Sequence, residues 1–282
     1  MRKPSARRTT PSAVTAAVNR DERIHLPRSL KRAAVKTDVQ TPDVRGNSVS
    51  GGKRAALDNL ATPAGGLWPS DGKVFDRTCT DCPRLAAFLE EGRAKFPDYY
   101  CAPVAPFGDR KASLIIVGLA PGFHGANASG RPFTGDHAGI LLYKTLHRFG
   151  FASRPESIDR HDGLKLIGAR ITNAVKCVPP ENKPLPVEIS TCNRYLKAEL
   201  DNAPKSVVLL ALGSIAHNAC LRTLGLKLSD YKFAHGAEFR LPGGQRLLDS
   251  YHCSRYNTNT RRLTEDMFAD VFKQARALVE SK

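Results

Sequence analysis

At 282 residues, with 41% hydrophobic and 25% charged side chains, the chain has ordinary globular usage and enough length for one or two domains. Fibrous, collagen-like and wholly disordered classes are excluded, and the lack of any run of about 18 apolar residues excludes a transmembrane helix. Forty-three Lys and Arg against 27 Asp and Glu give a net charge of +16. Such a balance attracts phosphate backbones through charge pairing and counterion release; a merely basic soluble surface is the plainer alternative.

The chain begins with a stretch of distinct texture. Residues 1–67 contain no aromatic side chain, and the first sixty carry thirteen basic and five acidic groups. Too little apolar surface is present there to offset chain entropy, so 1–67 reads as a disordered basic tail. Its first twenty residues are Arg-rich and free of acids, which also fits an organellar transit peptide. Residues 68–282 read as the folded domain. Four β-branched or apolar runs predict strands: Ser113–Gly118, Ala169–Lys176, Ser206–Leu212 and Gln245–Tyr251. Between and around them, helices are expected over Cys82–Lys95, Ala138–Phe149, Pro186–Leu200, Ser214–Leu224 and Glu265–Val279, the last capped by Thr264. Strands alternating with helices predict an α/β fold with a mostly parallel sheet covered on both faces. LPGGQ (Leu241–Gln245) reads as a hairpin turn feeding the last strand.

Three constellations carry chemistry. The segment Gly118–Gly139, GLAPGFHGANASGRPFTGDHAG, follows a strand directly, where open α/β sheets bind ligands. Its glycines permit close backbone approach, and it holds His124, Phe133 and Asp136. The plainer reading makes Asp136 a cap for the helix from Ala138. Ser250–Thr264, SYHCSRYNTNTRRLT, gathers His252, Ser254, Arg255 and Asn257 into one loop, groups suited to phosphate and sugar contacts. The third constellation is the cysteines. Their odd count of seven and the missing secretory h-region argue against a disulfide framework and for a reducing compartment. Cys79 and Cys82 form C-x2-C; Cys177 and Cys192 lie far downstream. Spacing alone leaves an iron–sulfur cluster, a zinc ion, a redox pair and free thiols open.

Taken together, CTDCPRL, APFGD, GLAPGFHGANASGRPFTGD, VKCVPPENKP, LPGGQ and SYHCSRYNTNTRRLT resemble family 5 of the uracil-DNA glycosylase superfamily, the type B enzymes. The likeness spans roughly Thr78–Ala277. Family 4 shares GRPF and the four cysteines but carries an acidic residue early in the first motif, where this chain has the apolar GLAPG. The resemblance implies a three-layer α/β/α sandwich around a four-stranded, mainly parallel sheet. It implies a structural [4Fe-4S] cluster on Cys79, Cys82, Cys177 and Cys192. The activity implied is hydrolytic removal of uracil, and other deaminated bases such as hypoxanthine, from DNA.

The same resemblance distributes the roles. Asp136 is expected to activate water or to stabilise positive charge on the sugar, and His252 to face the departing base. Phe133 offers a ring to that base, and Gly122 stands where other families carry catalytic polar groups. Asn173 and Asn182 are rival candidates for reading the base edge. Ser254, Arg255 and Asn257 are expected to hold DNA. The implied partner is DNA alone, with no membrane, and the implied setting a cytoplasmic, nucleoid-associated monomer. Competing readings are a narrow family 4-like enzyme, a catalytically silent module that keeps the cluster, and a glycosylase-like protein that bonds covalently to DNA.

Overall fold

The structure, a computed structural model, describes residues 75–281. The basic tail read over 1–67, and the start of the domain at Trp68, lie outside the described residues. Within them the expected helices appear as α1 (Pro83–Lys95), α3 (His137–Arg148), α4 (Pro186–Asp201), α5 (Ser214–Thr223) and α7 (Glu265–Glu280). Two short ones join them: α2 (Ala126–Ser129) and α6 (Arg255–Asn259). Thr264 caps α7 as expected, its side chain accepting from the Met267 amide at 3.2 Å.

Six strands form one sheet: β1 (Phe107–Gly108), β2 (Leu114–Gly118), β3 (Ala169–Asn173), β4 (Val208–Leu212), β5 (Glu238–Arg240) and β6 (Arg246–Ser250), in the order β1-β3-β2-β4-β6-β5. The four-stranded expectation is thus corrected to six. The four central strands are the expected ones and run parallel. The additions, β1 and β5, are antiparallel edges of two and three residues. Neither is long enough to show hydrophobic alternation, so neither is visible in the pattern. LPGGQ does turn β5 into β6: the Leu241 amide donates to the Gln245 carbonyl at 2.9 Å, and Gly244 takes the left-handed φ of +92° that the turn requires.

Strand periodicity sorts the core into two layers. Ile115 and Val117 of β2, with Leu209 and Ala211 of β4, pack beneath residues of α1, α4 and α5. Leu114 and Ile116, with Val208, Leu210 and Leu212, face α3 and α7. Side chains alternate across a strand, so continuous apolar runs bury both faces. The three-layer α/β/α sandwich follows.

Topology then places the site. The chain passes from β2 outward to β3, then crosses back to β4 on the other side of β2. Loops leaving β2 and β4 therefore diverge, and a crevice opens at their carboxyl ends.

Candidate active site and thiol pocket

The loop after β2 carries the carboxylate. Asp136 stands at the N-cap position of α3, yet its side chain makes no capping bond. It turns back instead, and Oδ2 accepts from the Ala126 amide at 3.1 Å. The plain capping reading is therefore not what the side chain does. Gly122 and Gly125 make the cradle: a methyl added at either would lie 2.0 Å from Oδ1. Burial raises the Asp136 pKa above the ordinary carboxylate range, opposed by the amides of Ala126 and Gly122. A carboxylate so placed is a proton acceptor of increased basicity.

Phe133 sits three residues earlier with a left-handed φ of +61°, a conformation non-glycine residues hold only where surroundings over-determine it. Its ring covers Gly118, where an added methyl would meet Cζ at 2.7 Å. It lies nearly parallel to the His252 ring, at 24° and 5.9 Å between centroids. Protein packed around the His252 imidazole pushes its pKa down to about 4, so the ring is neutral at pH 7. The Asn257 amide group donates to the His252 carbonyl at 2.8 Å and pins the loop.

The two asparagines separate. Asn173 ends β3 beside Gly118 and is buried; its Oδ1 has no hydrogen-bond partner and lies 2.4 Å from where a Gly118 methyl would stand. A buried unpaired amide oxygen costs free energy until something donates to it. Asn182 is exposed, in a 3-10 turn at Pro180–Asn182, with φ of +57°. No described contact brings it to the Asp136 loop.

Ser254 caps α6, accepting from the Asn257 amide at 3.4 Å. Arg255 is exposed and, with Asp136, Phe133, Lys144 and Ser157, lines an open groove of about 660 Å³. Of the three residues expected to hold DNA, Arg255 faces outward into this groove, while Ser254 and Asn257 spend their polar groups ordering the His252 loop.

Sequence reasoning missed what braces this loop. Arg131, in GRPF, donates to both carboxylate oxygens of Asp162 at 2.9 and 3.0 Å and to Ser157 Oγ at 2.9 Å, with both charged side chains nearly fully buried. Burial works against the Asp162 charge, but the amides of Leu164 and Ile158 and the Arg131 guanidinium outweigh it and hold the pKa low. The pair is separated by 31 residues, and nothing local in the sequence announces it.

On the opposite layer, Cys79, Cys82, Cys177 and Cys192 line one pocket. Cys79 and Cys82 precede α1, Cys177 follows β3, and Cys192 lies within α4. A fork joins α1 to α4: Arg84 Nε and Nη2 donate to Glu188 Oε1 and Oε2 at 2.8 and 2.7 Å. The Lys176 amide donates to Cys192 Sγ at 3.2 Å and Arg194 to Cys79 Sγ at 3.4 Å. Burial, with the neighbouring thiols, raises the Cys177 pKa, and burial raises that of Cys192 to about 11. Among the described residues, no three His, Cys, Asp or Glu side chains form a group able to hold a single metal ion. Four thiols drawn from three segments around one pocket are a donor set of the kind a polynuclear iron–sulfur group takes. The other three cysteines are buried elsewhere: Cys101 beside Asn127, Cys220 in α5, and Cys253 donating to the Ala138 carbonyl at 3.4 Å.

Residues 105–276 match the sequence model of the uracil DNA glycosylase superfamily. A type-5 uracil-DNA glycosylase of Thermus thermophilus is 48% identical over 216 residues, covering 74% of this chain and 98% of that protein. The chain belongs to the type 5 branch of the uracil-DNA glycosylase superfamily. A second type-5 glycosylase, from Mycobacterium bovis, is 42% identical over 208 residues, 71% of this chain and 78% of its own. A third, from Pyrobaculum aerophilum, is 39% identical over 226 residues, 78% and 97% of the two chains. Of the site residues named above, Cys79, Cys82, Arg84 and Cys101 precede the superfamily match and the rest lie inside it. Within this family frame, no helix among the described residues is long and apolar enough to cross a membrane.

Proposed function

We propose that this family member removes uracil from DNA by hydrolysis of the N-glycosidic bond, the first step of base excision repair. The observation that carries the reading is the Asp136 carboxylate, held against Gly122, Gly125 and the Ala126 amide instead of capping its helix. A glycosylase must first take the nucleotide out of the stack. Phe133 receives the extruded base on its ring face. Asn173, with its unpaired Oδ1, accepts from the N3–H of uracil, and the exposed place of Asn182 argues against its sharing this task. Neutral His252 donates to the uracil oxygen on which charge grows as the bond breaks. Asp136 takes a proton from the attacking water and faces the positive charge that develops on the sugar. Arg255 holds backbone phosphate at the groove.

The reading extends to hypoxanthine and other deaminated bases, as the resemblance to the family implies. Cys79, Cys82, Cys177 and Cys192 would hold a [4Fe-4S] cluster that cross-links the segments around α1 and α4 and supplies no chemistry at the base. The working unit in this reading is a monomer acting on DNA in the cytoplasm, at the nucleoid. Single-turnover assays on uracil, hypoxanthine, xanthine and ethenocytosine, in single and double strands, test the reading. Excision of uracil and of hypoxanthine is expected. No excision of any base by cluster-loaded protein would overturn it, and excision of uracil alone would restore the narrow reading.

A further inference from the structure

A second recess lies beside the catalytic loop and has no part in the mechanism above. It measures about 270 Å³ and is open on one side between the end of α1 and the loop after β2, lined by Phe88, Phe96, Phe123 and His124 with Lys95 and Glu91 at its edge. Phe96 stacks on Tyr99 at 4.7 Å and 19°, and meets Phe123 and His124 edge-on at 5.6 Å each. Gly92 of α1 admits Phe123: a methyl there would stand 3.3 Å from its Cε2. The rings are half-buried and His124 is exposed. Tyr99 Oη lies 2.9 Å from His124 Nδ1. With the tyrosine donating, the exposed imidazole keeps its proton on Nε2 and offers it as a donor.

Two features say what such a recess receives. Phe123 and His124 stand between Gly122 and Gly125, the two glycines that cradle Asp136, so the recess and the catalytic carboxylate share one loop. A substrate held at Asp136 as part of a polymer also presents its neighbouring nucleotides to that loop. Aromatic faces with a nearby cation and N–H donor, on a chain of net charge +16, match an unstacked base and its phosphate. The single acid at the edge, Glu91, lies one helical turn before Lys95 on α1.

We propose that this recess is a second DNA subsite, in which Phe96 and Phe123 stack one base flanking the scissile nucleotide while His124 and Lys95 contact its phosphate. The proposal rests on the function proposed above. Its ligand is single-stranded in character, because a flanking base can enter only when free of its partner strand.

The test uses the full chain and single-stranded oligonucleotides carrying 2-aminopurine one nucleotide to either side of a 2′-fluorodeoxyuridine, which resists cleavage. Stacking in the recess should quench the emission at one of the two positions. Phe96→Leu keeps the apolar volume but removes the π face. It should weaken Kd for the single strand about 5- to 30-fold and relieve the quenching, with the duplex Kd changed much less. Single-turnover excision at saturating protein should stay within about twofold of the unaltered chain. Lys95→Gln, on an exposed side chain that folding does not need, should lower the slope of log Kd against log salt by roughly one contact. Unchanged Kd and unchanged emission at both positions in Phe96→Leu would overturn the subsite, as would an equal loss on single strand and duplex. Because the probe DNA is not cleaved, absence of uracil excision by the unaltered chain counts against the proposed function alone, and absence of stacking against the subsite alone.

Discussion

The thiol pocket and the carboxylate loop lie on opposite layers of one sheet and hold their groups by different means. Cys79, Cys82, Cys177 and Cys192 reach their pocket from three separated segments, with the Arg84–Glu188 pair tying α1 to α4. Asp136, Gly122, Gly125 and Phe133 all come from the loop between β2 and α3, and its shape is set by glycines and by the brace of Arg131 on Asp162. A site assembled from distant segments is inseparable from the fold. A site carried on one braced loop can lose its chemistry while the fold stands.

Several measurements press on this difference. The largest effect is expected at the thiols. On the proposed cluster, Cys192→Ser should lower bound iron and soluble yield together, because ligation of such a group would contribute to folding. Iron and sulfide analysis beside a solubility assay checks it, and a soluble, folded, iron-free variant would show that the pocket stands without its ligands. Next in size, Asp136→Asn should slow single-turnover excision by about 10²- to 10⁴-fold with DNA affinity nearly kept, since a general base acts as the bond breaks. Circular dichroism and iron content should be unchanged. A rate near that of the unaltered chain would return Asp136 to a structural role.

Gly122→Ala probes the cradle rather than the carboxylate. The new methyl would fall 2.0 Å from Asp136 Oδ1, so the carboxylate must move. Displacement of about an ångström costs roughly a hundredfold in rate, again with the melting temperature nearly unchanged. A variant that melts early but cleaves normally would mean the glycine serves the fold.

The smallest effect expected is one of pH. His252 has a pKa of about 4 in the fold, against 6.5 for a free histidine. Between those values the unfolded chain binds the proton that the folded chain refuses. Stability should therefore fall as pH drops through 6.5 towards 4, and rise as pH increases through the same window. The ring is partly exposed, so the loss at pH 5 should be only ~1–2 kcal/mol. Urea unfolding at pH 7 and pH 5, for the unaltered chain and for His252→Asn, isolates this part. An equal pH dependence in both would place the titration elsewhere.

Much of the architecture was legible along the chain. The four central strands declare themselves because buried parallel strands read as unbroken apolar runs, and α7 because Phe268, Val271, Phe272 and Ala275 recur at helical spacing. Capping by Thr264 and the turn at Gly244 are local chemistry, written in the residues that perform them. Neighbouring residues also suffice to mark Asp136, Phe133 and His252 as a group worth watching, since each sits where a strand or its loop ends.

Tertiary structure alone decided the rest, because the remaining questions turn on contacts between residues far apart. Edge strands β1 and β5 exist only by pairing with β3 and β6, and two or three residues carry no period of their own. The difference in setting between Asn173 and Asn182 is not in either residue: β3 buries one against Gly118 and leaves its oxygen unpaired, while a left-handed turn exposes the other. Whether Asp136 caps a helix depends on where Gly122, Gly125 and the Ala126 amide arrive, and the brace from Asp162 crosses 31 residues to reach Arg131. Composition gave the charge and the odd number of thiols; the positions of the polar groups follow from burial, which withdraws water and so makes each remaining polar contact decisive.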